Sequence, residues 1–310
     1  LKKAIIKGFG KTDQLDIVNA PIPSIKEHEV LVRVVAASVN PKDTFIRKGR
    51  YKALTGSSFP MGVGFDYAGI VDKSNHFEYQ IGDPVFGMVN GWAGKTFAEF
   101  VAVSEQEICK SPNNIDLINA AAIPLAAQTA LQALMDIGKI KEGFHVCING
   151  ASGGVGTMAI QIAKSFGAIV TTLTSPANFD LCSSLGADIT LNYAEKSVTN
   201  TEYDIYFDVF GNQSFQKLKN TLNKTGVYIT TVPSKQILIR QYLLNFFSKK
   251  KAALVIVQST INKLQWIKAN IELGRLIPII DSIYPFPDLA KAQSKVETKR
   301  TKGKVVVTIN

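Results

Sequence analysis

Along the first 112 residues the apolar positions come in short runs, alternating or continuous, each closed by Gly, Pro or Asn. Leu1-Lys2-Lys3-Ala4-Ile5-Ile6-Lys7 opens the series. Val30-Leu31-Val32-Arg33-Val34-Val35, Gly69-Ile70-Val71, Pro84-Val85-Phe86-Gly87 and the run 97–103 continue it. Runs of this length between turn residues predict β-strands, and their number predicts an antiparallel, barrel-like domain. From Asn119 the period changes: a stretch rich in Ala and Leu predicts a helix through Leu134, and beyond it apolar runs alternate with helical ones. Strands are predicted at 146–148, 169–173, 189–191, 205–209, 227–231 and 254–257, with helices at 157–166, 179–185 and 214–222. That alternation implies an α/β domain with a doubly wound parallel sheet, covered on both faces through right-handed crossovers. Residues 304–309 read as a strand again and are expected to return to the first domain.

A length of 310 residues favours two domains, and 46% hydrophobic residues suffice to fill two cores. No run of 18 apolar residues occurs and the first residues lack a signal-peptide core, so a cytoplasmic protein without an integral membrane segment is expected. Cys109, Cys147 and Cys182 are too few and too far apart for a disulfide framework or a Cys-x-x-Cys metal site, and read as small buried hydrophobes. The net charge of +10 suits anionic ligands. Its clusters at Lys249-Lys250-Lys251 and Lys299-Arg300-Thr301-Lys302 come with no nucleic-acid-binding motif, so no nucleic acid partner is expected. The stretch 236–251 is apolar, aromatic and then basic. It could touch an anionic membrane peripherally, but reads better as a helix lining a substrate cleft or a subunit interface.

Between the strand and helix predicted on either side of it stands Asn149-Gly150-Ala151-Ser152-Gly153-Gly154-Val155-Gly156. In that context the loop predicts a dinucleotide site: small residues at Ala151, Gly153 and Gly156 allow a sharp turn, close approach to a pyrophosphate and tight helix packing. Ser152, Gly154 and Val155 complete the loop at the helix N-terminus, where free N–H groups favour the anion. About twenty residues on, NAD-preferring sites carry a carboxylate for the ribose hydroxyls. Here the stretch reads Thr171-Thr172-Leu173-Thr174-Ser175-Pro176-Ala177-Asn178, with no acid. The lack of an acid favours NADP, with Thr174, Ser175 and Asn178 as donors to a 2′-phosphate.

Several stretches, in order, resemble the medium-chain dehydrogenase/reductase superfamily, in its zinc-independent quinone oxidoreductase-like branch. They are Ala37-Ser38-Val39-Asn40-Pro41-Lys42-Asp43 with Arg47-Lys48-Gly49, Gly64-Phe65-Asp66-Tyr67-Ala68-Gly69, Gly82-Asp83-Pro84-Val85, Ala120-Ala121-Ala122-Ile123-Pro124 with Thr129-Ala130-Leu131, the glycine loop, and Leu185-Gly186-Ala187-Asp188. The resemblance implies a GroES-like β-barrel domain over 1–115, completed by about 275–310, and a Rossmann domain over 116–274, with the active cleft between them. It implies no metal, because Asn40 stands where zinc-dependent relatives have a Cys ligand, and Phe65-Asp66 where they have a His-Glu pair. His28, His76 and His145 are too scattered to make good the loss.

The resemblance further implies that Asn40 and Asp43 border nicotinamide and substrate, that Thr129 contacts the nicotinamide side, and that Phe210, Gly211 and Val232 line the cofactor groove. Tyr193 matches a tyrosine that reaches the 2′-phosphate. The alternatives are turn capping for Asn40 and Asp43 and helix packing for Thr129. Phe45 replaces a common tyrosine and offers no hydroxyl, and the Lys or Arg common near Ala177 or Asn178 is absent. The implied function is NADPH-dependent hydride transfer to a small electrophile, a quinone or an α,β-unsaturated carbonyl. An enoyl-thioester reductase, or a nucleotide-binding sensor with little catalysis, is the alternative. A homo-oligomer, most simply a dimer formed by joining Rossmann sheets, is also implied.

Overall fold

The computed structural model describes residues 1–195 and 202–309. The connection 194–203, which looks short for the family, lies largely outside the described residues. The chain divides into two compact units, one of 1–125, 258–274 and 278–310, the other of 126–257 and 275–277.

The first unit carries strands β1 (Lys2–Ile6), β2 (Leu15–Asn19), β3 (Glu29–Val39), β4 (Met61–Gly62), β5 (Asp66–Ser74), β6 (Pro84–Met88), β7 (Phe100–Ser104) and β8 (Ile108–Lys110). β1 lies between β2 and β4. In the larger sheet β3 is the spine: it pairs antiparallel with β5 and β7, burying Val30, Leu31, Val32, Val34, Ala36, Ala37 and Val39 while Arg33 stays exposed. The tail does return here. After the second unit's strands, which are β9 (His145–Asn149), β10 (Ile169–Thr174), β11 (Ile189–Asn192), β12 (Tyr203–Asp208), β13 (Leu222–Thr230) and β14 (Lys251–Leu254), come β15 (Ile280–Pro285) and β16 (Lys304–Thr308), and β16 pairs with β3 in the register Val305↔Val39. That register sets Lys304 at the end of β3, beside Asn40.

Residues 258–274 belong with this unit, whereas the sequence reading ended the Rossmann domain at 274. The helix Ile261–Glu272 is tied there by Asn113 N donating to Glu272 Oε1 (3.2 Å) and Asn114 Nδ2 to Ile271 O (2.9 Å). An amphipathic helix declares that it has a partner and not which one.

The second unit's strands, β9 to β14, are all parallel, in the order β11-β10-β9-β12-β13-β14. The order reverses direction between β9 and β12, the switch point beyond which dinucleotides bind in such sheets. Two elements shift from their predicted bounds. The last strand runs over 251–254 and not 254–257, because Val227–Thr230 pairs with Lys251–Leu254. The helix predicted at 214–222 spans Phe215–Leu218, since Leu222 already starts β13. The helix predicted to run through Leu134 is broken: Leu117–Ala121 and Pro124–Leu131 are α, and Gln132–Ile137 is a π-helical turn. Pro124 supplies the break, having no N–H to continue the ladder.

Candidate functional site

In the Rossmann unit β9 delivers the chain into Gly150, whose φ of 83° marks the sharp turn. The turn residue is therefore Gly150 and not Ala151, which is fully buried. A Cβ on Gly156 would stand 2.4 Å from Gly150 O and 2.5 Å from Ala151 O, so only glycine lets the helix Gly154–Ser165 lie this close to the loop. Gly153 has no such constraint, with its nearest neighbour at 3.6 Å. Gly154 and Val155 form the helix's first turn, where unpaired N–H groups gather.

Beside the loop, the end of β10 gathers a knot of short polar side chains. Thr174 Oγ1 donates to Ser152 Oγ (3.0 Å), and Asn178 Nδ2 lies within reach of Ser152 Oγ (2.9 Å) and Ser175 Oγ (3.1 Å). The oxygens of Ser152 and Ser175 thus accept from within the knot, and their own O–H hydrogens are left to point at a ligand. No carboxylate takes part. Tyr193 N donates to Thr174 O (3.2 Å), which brings the backbone of this largely exposed tyrosine next to the knot.

The loop after β12 completes the groove. Phe210 packs its backbone against Gly150, and Gly211, at φ 75°, faces Val232 so closely that a Cβ would meet Val232 Cγ2 at 2.1 Å. Sequence reasoning missed the residue that holds this loop. Asp208 is fully buried and accepts from Asn149 Nδ2 (2.7 Å), Gly211 N (2.9 Å), Gln213 N (2.9 Å) and the Tyr228 hydroxyl (2.9 Å). Thr129 lies in the same unit, buried within Pro124–Leu131.

In the barrel unit the short helix Pro41–Arg47 follows β3 directly, opened by Asn40 with Pro at the first helical position. Asp43 reaches back in the manner of a capping box: its carboxylate accepts from Asn40 N (2.8 Å) and from Gly64 N (3.0 Å). Burial is the main influence on Asp43 and pushes its carboxyl up to about 7; Asp66 pushes the same way, while the two backbone donors and Lys304 pull it down. The Asn40 side chain does not cap the helix and turns inward instead. Its Nδ2 donates to Asp66 Oδ2 (2.9 Å), and its Oδ1 accepts from Lys304 Nζ. Asp66 also accepts from Ser38 Oγ (2.7 Å), Lys304 Nζ (3.1 Å) and Leu125 N (2.7 Å), the last at the start of the helix after Pro124. Asn40, Asp43, Asp66 and Lys304 are all buried, so the cluster is closed upon itself.

Lys42 lies on the outer side of the same helix turn. Its ammonium sits 3.7 Å above the centre of the Phe65 ring and 5.1 Å from that of Trp92, and donates to Gly91 O (2.8 Å). Phe45 packs edge-on against Tyr51 (6.1 Å) beneath the Arg50 guanidinium. Tyr67 is fully buried and donates to Glu107 O (2.9 Å), so its hydroxyl does not replace the one that Phe45 lacks. The motif residue Arg47 is an anchor: its guanidinium is buried between Gln293, Gly10 O and Glu297. All three cysteines are buried, and burial raises the Cys109 and Cys182 thiols to about 11. Among the described residues no three His, Cys, Asp or Glu side chains gather as a metal site, and no helix is long and apolar enough to cross a membrane.

Residues 26–113 match the family model of the alcohol dehydrogenase GroES-like domain, and 185–307 that of the zinc-binding dehydrogenase. The chain is 32% identical, over 99% of its length and 79% of the relative's, to a chloroplastic NADPH-dependent alkenal/one oxidoreductase of Arabidopsis thaliana. It is 33% identical, over 96% of its length and 76% of the relative's, to 2-methylene-furan-3-one reductase of Solanum lycopersicum. The solved structure of a quinone oxidoreductase from Coxiella burnetii matches with a TM-score of 0.90 at 28% identity, covering 100% of this chain and 99% of that one.

Proposed function

Because the chain belongs to the medium-chain dehydrogenase/reductase superfamily, in its quinone oxidoreductase-like branch, we propose that it is a zinc-independent, NADPH-dependent reductase of α,β-unsaturated carbonyls or quinones. The observation that carries this reading is the glycine turn at Gly150 and Gly156 joined to a hydroxyl and amide knot without a carboxylate. The fit to NADPH rests on that chemistry. The loop N–H groups of Ser152, Gly154 and Val155 would hold the pyrophosphate, and Ser152, Thr174, Ser175, Asn178 and Tyr193 would surround the 2′-phosphate. Phe210, Gly211 and Val232 would flank the groove. When bound, NADPH supplies the hydride.

Zinc does not fit the other cluster. The donors facing one another there are the Asn40 amide and the Asp66 carboxylate, Asp43 being turned to backbone N–H groups, and the Lys304 ammonium already spans both, so a second cation would meet a like charge and too few ligands. Asp43 then acts beneath the surface by fixing the start of its helix and Asn40 by joining Asp66 to Lys304, with Thr129 bordering the nicotinamide from its own unit. Small enones and quinones, assayed with NADPH and NADH, test the reading. Turnover with NADPH and either acceptor supports it, whereas turnover restricted to enoyl thioesters would move the protein to that class. β14 ends the sheet, its outer Ala252 and Leu254 backbone groups taken by the Asn245 and Gln241 side chains, and the exposed Leu243, Leu244, Phe246 and Phe247 beside it support a homodimer formed over that apolar patch, which sedimentation at several concentrations checks.

A further inference from the structure

Resting on the NADPH reading, we propose that Asp208 is a positioning residue for one half of the cofactor: it holds the loop 209–213 in place for the nicotinamide end, while the adenosine end is held without it. Strand order divides the site in this way. The hydroxyl and amide knot stands at the end of β10, on one side of β9, and the loop after β12 stands on the other. A dinucleotide with its 2′-phosphate in the knot and its pyrophosphate at the glycine turn would continue over β12. There Phe210 and Val232 are exposed and offer it an apolar flank.

β12 carries an aspartate near each end. Asp204 clamps three strands near their amino ends, accepting from His145 N of β9 (2.8 Å) and from Asn223 Nδ2 of β13 (2.6 Å). Asp208 repeats that clamp near the carboxyl ends, with Asn149 of β9 and Tyr228 of β13. It then adds two bonds from the loop, those of Gly211 N and Gln213 N. Gly211 is where the chain squeezes past Val232, so the bond at its N–H sets how the loop stands in the groove. The glycine turn has separate holds: Gly150 N donates to Leu173 O of β10 (3.1 Å) and Gly153 N to Gly150 O (3.3 Å).

The Asp208 carboxylate is fully buried and its four donors are neutral, so each of them helps to offset the water it has lost. Oδ1 serves Asn149 and Gly211, and Oδ2 serves Gln213 and Tyr228. An asparagine has the same shape but accepts at one end only. Whichever way its amide turns, one loop N–H faces an NH2 and loses its acceptor. The loop then spends part of its time out of place, and the apparent affinity of whatever needs it falls by the fraction still in place.

Calorimetric titration with NADPH and with adenosine 2′,5′-bisphosphate, the phosphate-bearing adenosine end alone, tests this without turnover. Asp208→Asn should lower NADPH affinity by about tenfold or more and leave the bisphosphate within about twofold of wild type. Asp204→Asn loosens the same three strands at their other end. It should leave both affinities level whatever stability it gives up, which separates positioning from a weakened fold. Tyr228→Phe removes one donor of the four and should weaken NADPH by about threefold with the bisphosphate unchanged, and it decides the matter if Asp208→Asn does not fold. Equal losses for the two ligands, no loss for either, or a matching NADPH loss in Asp204→Asn each overturns the proposal while the NADPH reading stands. A wild type that binds neither ligand would sink that reading and the proposal with it.

Discussion

The polar group around Asn40 and the polar group around Ser152 both form where a strand ends, and they are satisfied in opposite ways. Around Asn40 the partners are charged, buried and mutual: Lys304 and Asp66 neutralise one another, and the amide between them is used at both ends. Around Ser152 the partners are neutral hydroxyls and one amide at a partly exposed loop, with O–H donors left over. A closed charged cluster fixes the backbone, and removing one member exposes the whole desolvation cost of the other. An open neutral knot costs little unfilled and can greet an anion. Stability should therefore concentrate in the first group and ligand affinity in the second, and substitutions can break that division in order of size.

Lys304→Met should have the largest effect, about 3 to 5 kcal/mol of lost stability, because it strands the buried Asp66 carboxylate. Urea unfolding measures it. A loss below about 1 kcal/mol would mean that the cluster is not closed after all. The next effect is a pH signature of the same cluster. The Asp43 carboxyl is raised from 3.8 to about 7, so the folded state holds this proton more tightly than the unfolded chain. Its contribution to stability is full below about pH 4 and is lost as pH rises through about 7. The stability difference between wild type and Asp43→Asn should accordingly shrink, or turn against the wild type, over that window.

These two groups also differ in how far the sequence discloses them. The glycine loop is legible because its demands are local. Spacing alone identifies Gly156, and the missing acid after β10 can be read directly from Thr174 to Asn178. Even here the sequence misassigns the turn to Ala151, since a string of small residues does not say which one takes a positive φ. The cluster around Asn40 is a long-range product. Lys304 reaches it only because β16 pairs with β3 in one register, bringing together residues 264 apart in the chain. Asp208 escaped notice for a related reason, as its four donors come from the neighbouring strands β9 and β13 and from the loop after β12. Lys42 is plain in the motif Asn40-Pro41-Lys42-Asp43, but its seat on Phe65 requires the turn from β4 to β5 to be folded. Strand bounds failed where apolar composition outran pairing, as at 255–257.

Within the open group, Gly156→Ala should come first, at about 1 to 3 kcal/mol of stability from overpacking, with NADPH affinity falling too as the loop shifts. A variant with wild-type stability and affinity would show that the loop can yield. Ser175→Asp should leave the fold intact and weaken NADPH binding by at least about tenfold, since a carboxylate at the end of β10 opposes a 2′-phosphate across a few ångströms. NADH affinity should hold or improve. Equal losses for both nucleotides in a calorimetric titration would remove the knot from the phosphate site.

Gly153→Ala should do almost nothing, and it is the sharpest test because the dinucleotide motif counts Gly153 equal to Gly156. At Gly153 the backbone has φ −80° and ψ 174°, an extended conformation open to any residue, and its Cβ would find Gly150 O at 3.6 Å, an ordinary contact. Alanine gives up a few tenths of a kcal/mol as a helix N-cap and regains a similar amount by restricting the unfolded chain, so the net change should stay within about 0.5 kcal/mol. The only reason left for glycine there is the close approach of a ligand. A silent effect on stability joined to a tenfold or greater loss of NADPH affinity would mark Gly153 as a contact for the pyrophosphate. Silence in both would confine the loop's glycine requirement to Gly150 and Gly156, the two positions where the backbone itself imposes it.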